Sequence, residues 1–242
     1  MLVEIRQLNI VFNHGAKSMT AKIGRQSLTD QIVTELRRQI ITGQLAEGAP
    51  LRQERLAAEL GVSRVPLREA IRQLEAEGLV VSELHKGTVV SSLSLEEIEE
   101  LFEIRLRLET WLFEAAIPRM VEADFALAER VTEEAMSTGS VENWGELNWR
   151  FHEALYRPSG NTIALRLLRT VHDNANRYVN LQIAVAEDVE RELADHQALT
   201  AFARLRDTRR GVDTLRAHIQ RVSRNLIASL AEGRHAKVKD IA

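Results

Sequence analysis

The sequence predicts a mainly α-helical protein in two parts: three helices closed by a β-hairpin, then an antiparallel bundle of about six helices. Three observations predict this. Leu, Ala, Glu and Arg dominate while aromatic residues make up only 5%, a composition that favours helices. Between Ser27 and Leu93, apolar residues recur at helical spacing three times and then give way to two short Val-rich runs. From Ser94 onward strand signals cease, and helical stretches follow one another across Gly, Pro and Asp breaks.

Composition bounds the function classes. A chain of 242 residues holds one large domain or two modest ones, and 45% hydrophobic with 28% charged residues is a folded rather than a disordered balance. The absence of cysteine excludes disulfides and thiolate zinc sites. No apolar run approaches the roughly 18 residues that span a bilayer, so a cytoplasmic location is expected. The net charge of −3 excludes a globally basic nucleic-acid binder, and Ser27 to Leu93 holds eight Lys/Arg against nine Asp/Glu. Any contact with nucleic acid must then come from local charge placement. Residues 1–26 have no sustained period and no secretory core; they read as a poorly ordered leader, with Met19 as a candidate start. The expected division is 1–26, 27–93 and 94–235.

Ser27-Leu28-Thr29-Asp30 is a capping box with Asp in the usual Glu position. Ile32, Leu36 and Ile40 follow as one apolar stripe that ends at Gly43. A second helix, Gln53 to Leu60, buries Leu56, Ala57 and Leu60 and stops at Gly61, whose freedom at positive φ suits a tight turn between helices. Ser63 caps a third helix that tolerates Pro66 in its first turn. On it Leu67, Ala70, Ile71 and Leu74 face the first two helices, while Arg64, Arg68 and Arg72 form an adjoining row. Leu79 to Val81 and Thr88 to Val90 are two short strands joined by Glu83 to Gly87. This order is a winged helix-turn-helix. Guanidinium forks at a helix N-terminus match guanine edges and phosphates in a major groove, and Lys86 at the wing tip reaches for the backbone or minor groove. Glu69 and Glu75 flank Arg72, which makes it an ion-pair residue rather than a DNA contact.

The remainder divides near 95–118, 122–137, 141–156, 162–185, 187–206 and 209–232, with breaks at Gly139, Pro158 to Gly160, Glu187-Asp188 and Asp207 to Gly211. Short connections imply antiparallel neighbours. Asn148 and His152 share one helix face. His196 and His218 lie at equal distances from residue 207, so a turn there brings them to one height. Three helices can thus present Asn148, His152, His196 and His218 to one point, a donor set suited to Zn²⁺, Ni²⁺ or Mn²⁺. A capped or surface role for each histidine is the competing reading of the residues alone. His172-Asp173, Asn176 and Arg177 are further pocket groups in outline, with a structural role preferred for the first pair. Trp111, Trp144 and Trp149 read as packing residues.

The run from Leu51 to Leu79, above all Gly61-Val-Ser-Arg-Val-Pro-Leu-Arg-Glu-Ala70, resembles the signature of the GntR family of bacterial regulators. The resemblance implies DNA contacts at Arg55, Ser63, Arg64, Arg68, Lys86 and Gly87. Residues 95 to about 230 resemble the FCD ligand-binding domain of the FadR/VanR branch, through Leu101 to Glu109, Asn148 to His152, Gly160-Asn161, Asp195-His196 and Ala217 to Ile219. Counting six sensor helices rather than seven points to the VanR-like subgroup. The implied metal ligands are Asn148, His152, His196 and His218, with Arg105 helping to hold a small organic acid. The first ligand is commonly Asp; Asn148 brings no charge, which calls either for an anionic effector to complete the site or for a degraded site that binds no metal. The expected protein is a homodimeric regulator of a palindromic operator, without catalytic residues. The alternatives are a metal-dependent hydrolase, which lacks a motif-placed general base, and a DNA-binding protein whose bundle only dimerises.

Overall fold

The computed structural model describes residues 27–138, 144–186 and 189–239. The leader 1–26 and the breaks at Gly139 and Glu187-Asp188 lie outside the described residues. Helix α1 (Leu28–Ile41) starts on the predicted capping box: the Ser27 hydroxyl accepts from the Asp30 N–H, and the Asp30 carboxylate accepts from the Ser27 N–H. Helix α2 (Gln53–Leu60) ends at Gly61 in the left-handed region, φ 65°, where glycine avoids the Cβ strain other residues meet. Leu60 is half-buried rather than fully buried at this end. Helix α3 (Arg64–Ala76) follows from Ser63. Ser63 holds the N-cap position, but its side chain makes no capping hydrogen bond, contrary to expectation.

Strands β1 (Val80–Glu83) and β2 (Gly87–Val90) pair antiparallel from Val80↔Val90 to Glu83↔Gly87; β1 starts one residue and ends two residues later than expected, and β2 starts one residue earlier. Pro50 forms a further bridge to Val89, which ties the start of α2 to the wing. One apolar core gathers Ile32, Leu36, Ile40, Leu67, Leu74, Leu79 and Val90 between these elements.

A second core belongs to the bundle α4 (Leu95–Ala116), α5 (Glu122–Thr138), α6 (Trp144–Tyr156), α7 (Thr162–Ala186), α8 (Val189–Arg204) and α9 (Thr208–Lys239). These are six helices among the described residues, with single-turn 3-10 segments after α4 and α6. A second capping box, Ser94 with Glu97, opens α4. Gly160, at φ 74°, reverses the chain between α6 and α7. The turn between α8 and α9 spans 205–207, as the spacing of His196 and His218 required. Trp144 and Trp149 are buried, but Trp111 is 51% exposed on α4 and is no core residue. No helix among the described residues is long and apolar enough to cross a membrane.

The two cores meet along α7. Arg37 of α1 pairs with Glu77 at 2.6 Å and with Asp173 of α7 at 3.5 Å. The Asn174 amide donates to the Glu77 carbonyl (2.8 Å), and Arg177 donates to the Ser91 carbonyl (2.8 Å). The Tyr178 hydroxyl accepts from the Leu93 N–H (2.9 Å) and donates to Glu47. Arg177 therefore serves the junction, through the stretch that links the hairpin to α4.

Candidate functional site

Two faces invite a functional reading, and they differ in every physical respect. The first is the exposed end of the helix-turn-helix. Arg64 and Arg68 stand in the first turns of α3, both exposed, and Ser63 precedes them with its hydroxyl free of a cap bond. Arg64 pairs with Glu54 (2.9 Å), Arg55 with Glu59 (2.6 Å) and Lys86 with Glu83 (2.7 Å). Among the described residues Arg68 has no ion-pair partner. Arg72 pairs with Glu69 at 3.1 Å, as expected, while Glu75 instead accepts from the Ser82 N–H. Gly87 holds φ 76° beside the wing turn, where His85 also takes positive φ, at 68°. Exposed pairs of this kind are weak, so phosphate oxygens can replace the glutamates.

The second face is internal. His152 of α6, His196 of α8 and His218 of α9 are all buried, and their ligand-capable nitrogens lie within 4.8 Å of one another. Ring centroids are 5.2 Å (His152–His196), 5.6 Å (His152–His218) and 5.7 Å (His196–His218). Phe151 stacks on His196 with centroids 3.9 Å apart, fixing that ring.

Hydrogen bonds select the atoms that face inward. Tyr156 donates its O–H to Glu109 (2.7 Å), so its lone pair accepts from His152 Nδ1–H (2.9 Å). That leaves Nε2 of His152 with a bare lone pair, and Nε2 has no hydrogen-bond partner. His218 Nδ1 stands 3.0 Å from the Asp195 carboxylate, and its Nε2 stands 3.6 Å from Glu192 Oε2. His196 Nε2 is likewise without a partner, as is Oδ1 of buried Asn148. Buried polar atoms are ordinarily satisfied, so this group of orphans demands an explanation.

Burial, reinforced by the neighbouring His196, His218, Arg105 and His172, holds His152 well below the ordinary histidine range. Burial with His218 does the same to His196. Nε2 of His152 and Oδ1 of Asn148 offer lone pairs, and neutral imidazoles with an amide oxygen are a ligand set for a borderline divalent metal. The residues present therefore fit such an ion.

Several partners escaped the sequence. His172 of α7 is buried 3.5 Å from the Asn148 amide, at the long limit of a hydrogen bond, and tilts against Trp149. From the sequence it is a pocket group with a structural role preferred; the structure sets it against Asn148 and Trp149. Arg105, expected to meet an organic acid, is buried and bonded to Glu109 at 2.7 Å. It belongs to a chain Arg105–Glu109–Tyr156–His152 that ends on the cluster. Burial, with Glu109 beside it, pushes the Tyr156 hydroxyl well above its ordinary range, so it stays a donor.

Comparison with known proteins follows the same division. The model of bacterial regulatory proteins of the gntR family matches residues 28–90, and that of the FCD domain matches 100–221. The transcriptional repressor GlaR of Escherichia coli is 30% identical over 195 residues, covering 76% of this chain and 89% of that one. The gluconate operon transcriptional repressor of Bacillus licheniformis is 28% identical over 76% of this chain and 79% of its own length. The solved structure of E. coli McbR/YncC superposes with a TM-score of 0.76 at 23% identity, over 85% of this chain and all of that one, a likeness of fold. The matching families and these relatives are regulators of transcription, not enzymes.

Proposed function

The chain belongs to the gntR family of bacterial regulatory proteins and carries an FCD domain, and from that premise we propose that it is a transcription regulator whose grip on DNA is set by a small organic acid bound with a divalent metal in its bundle. One observation carries the reading. Nε2 of His152, Nε2 of His196 and Oδ1 of Asn148 are buried without partners, and His152, His196 and His218 bring ligand nitrogens within 4.8 Å of one another.

On this reading Asn148, His152, His196 and His218 hold the ion, Zn²⁺ first and Ni²⁺ or Mn²⁺ next by donor chemistry. The metal, when bound, supplies positive charge to which a carboxylate can coordinate. The chain's own residues do the rest. Tyr156 and Asp195 fix the tautomers of His152 and His218, and Phe151 fixes the His196 plane. Arg105 lies one turn from Glu109 and offers the acid a second cationic contact if it shifts from that partner.

DNA recognition is assigned to Ser63, Arg64 and Arg68 in α3, Arg55 in α2, and Lys86 and Gly87 in the wing. A homodimer would present two such helices to a palindromic operator, with half-sites about one helical turn apart. Coupling runs through α7: His172 touches Asn148, and the next residues, Asp173, Asn174, Arg177 and Tyr178, hold the DNA-binding part. A ligand that moves α7 changes the placement of that part, and operator affinity follows as a coupling free energy.

A thermal-shift screen of small carboxylic acids, gluconate among them, with and without chelator tests the proposal. Stabilisation by one acid that disappears on metal removal is the expected result. Protein free of stoichiometric metal, and indifferent to every acid after metal is added, overturns it.

A further inference from the structure

The donor set just described is neutral. Three imidazoles and one amide leave both positive charges of a divalent ion uncompensated in a buried site, a costly arrangement. The surroundings of His218 contain the missing charge. Glu192, one turn before His196 on α8, is only 6% exposed. Its Oε2 stands 3.6 Å from Nε2 of His218, while its Oε1 accepts from Arg221. Asp195 accepts from His218 Nδ1–H and from Arg221. Two carboxylates thus share one guanidinium, and one negative charge remains beside the ring. By contrast, the Arg105–Glu109 pair on the other side of the cluster is neutral.

The atoms in contact sharpen the point. His218 lies between the two carboxylates, with Nδ1 3.0 Å from Asp195 and Nε2 3.6 Å from Glu192. A cation held by Nε2 would have the Glu192 oxygen beside it. Asp195 is already bonded to His218 Nδ1 and to Arg221, on the far side of the ring. Glu192 lies against Nε2, the opposite edge of the ring from Asp195.

We propose that Glu192 is the anion of the metal site, supplying the divalent ion with the charge that Asn148 and the three histidines lack. This rests on the metal reading above. It also defines the effector's head group: two positive charges less the one left by Glu192, Asp195 and Arg221 leave a single charge, which one carboxylate neutralises. An acid that presents a lone carboxylate to the site suits it better than one that presents two.

The test is a charge-placement cycle read as Zn²⁺ affinity, by chelator competition on the full-length protein at fixed pH. Glu192→Gln keeps the shape and the hydrogen-bonding reach to Arg221 while removing the charge. Its affinity is expected to fall about ten- to a hundredfold, the range for altered support around a metal. Asn148→Asp in the same chain is expected to restore most of that loss by placing a carboxylate on the opposite side. Circular dichroism of the metal-free variants controls for folding. If Glu192→Gln binds Zn²⁺ as tightly as the parent, Glu192 is no part of the site, though the metal reading stands. If affinity falls and Asn148→Asp does not restore it, Glu192 acts only by anchoring Arg221, and the proposal is overturned. A parent protein that takes up no Zn²⁺ removes the metal reading itself.

Discussion

The DNA-facing end of α3 and the histidine cluster reach function by opposite physical routes. At the first, charged groups are exposed and already paired: Arg64 with Glu54, Arg55 with Glu59, Lys86 with Glu83. At the second, polar atoms are buried and left without partners: Nε2 of His152, Nε2 of His196 and Oδ1 of Asn148. An exposed site can afford neutrality, because its pairs exchange with phosphates at little cost and the net charge of the module need not be positive. A buried site cannot exchange with solvent, so an incomplete set of partners persists there as a standing demand for a ligand. The difference teaches that unsatisfied atoms reveal an internal site, whereas position on an element, not pairing, identifies a surface one.

The largest expected effect separates the two regions by acid. Burial holds His152, His172 and His196 neutral, well below the ordinary value of 6.5. In the unfolded chain each takes up a proton as pH falls through that value, and the folded chain refuses it. Stability of the metal-free protein is therefore full above about pH 6.5 and declines below it, by about 1.4 kcal/mol per pH unit for each ring. Three rings together give a slope of up to about 4 kcal/mol per unit. Denaturant titrations between about pH 7.5 and 5.5 measure it. A flat profile would mean that the rings are not held neutral, and the contrast between the regions would lose its basis.

Next comes DNA. Arg64→Ala and Arg68→Ala should each weaken operator binding about ten- to a hundredfold per half-site, with melting temperature nearly unchanged because both side chains are exposed. Fluorescence anisotropy at fixed salt reads the first quantity and thermal unfolding the second. Variants that unfold more readily without losing DNA would place α3 in a structural role. In the buried region the converse holds: adding Zn²⁺ at about a hundred times its Kd should stabilise the protein by about 2.7 kcal/mol, and chelator should reverse this. His152→Ala should abolish that response. A His152→Ala protein still stabilised by Zn²⁺ would move the metal elsewhere.

How much of this was legible follows from the range of each interaction. Helix α2 fell on Gln53–Leu60 as expected because periodicity and a terminal glycine are local signals. The meeting of His196 with His218 was legible because a single turn at residue 207 determines it. The chain Tyr156–Glu109, spanning 47 positions, was not, since it depends on which faces of α4 and α6 meet. For the same reason Trp111 was expected inside and lies outside, and Glu192 gave no sign of its nearness to His218. Ser63 was read as a cap from residue type; the structure keeps the position and drops the bond.

The junction along α7 should respond more modestly. Arg37 is about one-fifth exposed and spans Glu77 and Asp173, so Arg37→Ala loosens the docking without opening either core. About 1 kcal/mol of stability is expected to be lost. The telling readout is the response to effector: DNA affinity should depend less on the acid than in the parent. Equal response in both proteins would place the coupling route outside the Arg37 contacts.

The smallest effect is the most discriminating for the exposed region. Arg72 pairs with Glu69, but Arg64, Arg55 and Lys86 are paired as well, so pairing alone gives no reason to set Arg72 apart. Position does. At 1.5 Å per residue Arg72 lies about 12 Å along α3 from Arg64, beyond the N-terminal turns that enter a major groove. Arg72→Ala should therefore change operator affinity less than about twofold and leave its salt dependence unaltered, while Lys86→Ala should reduce the salt slope by about one. If Arg72→Ala proves as damaging as Arg68→Ala, α3 docks along its length rather than by its end, and the glutamates beside all of these cations become the residues that DNA must displace.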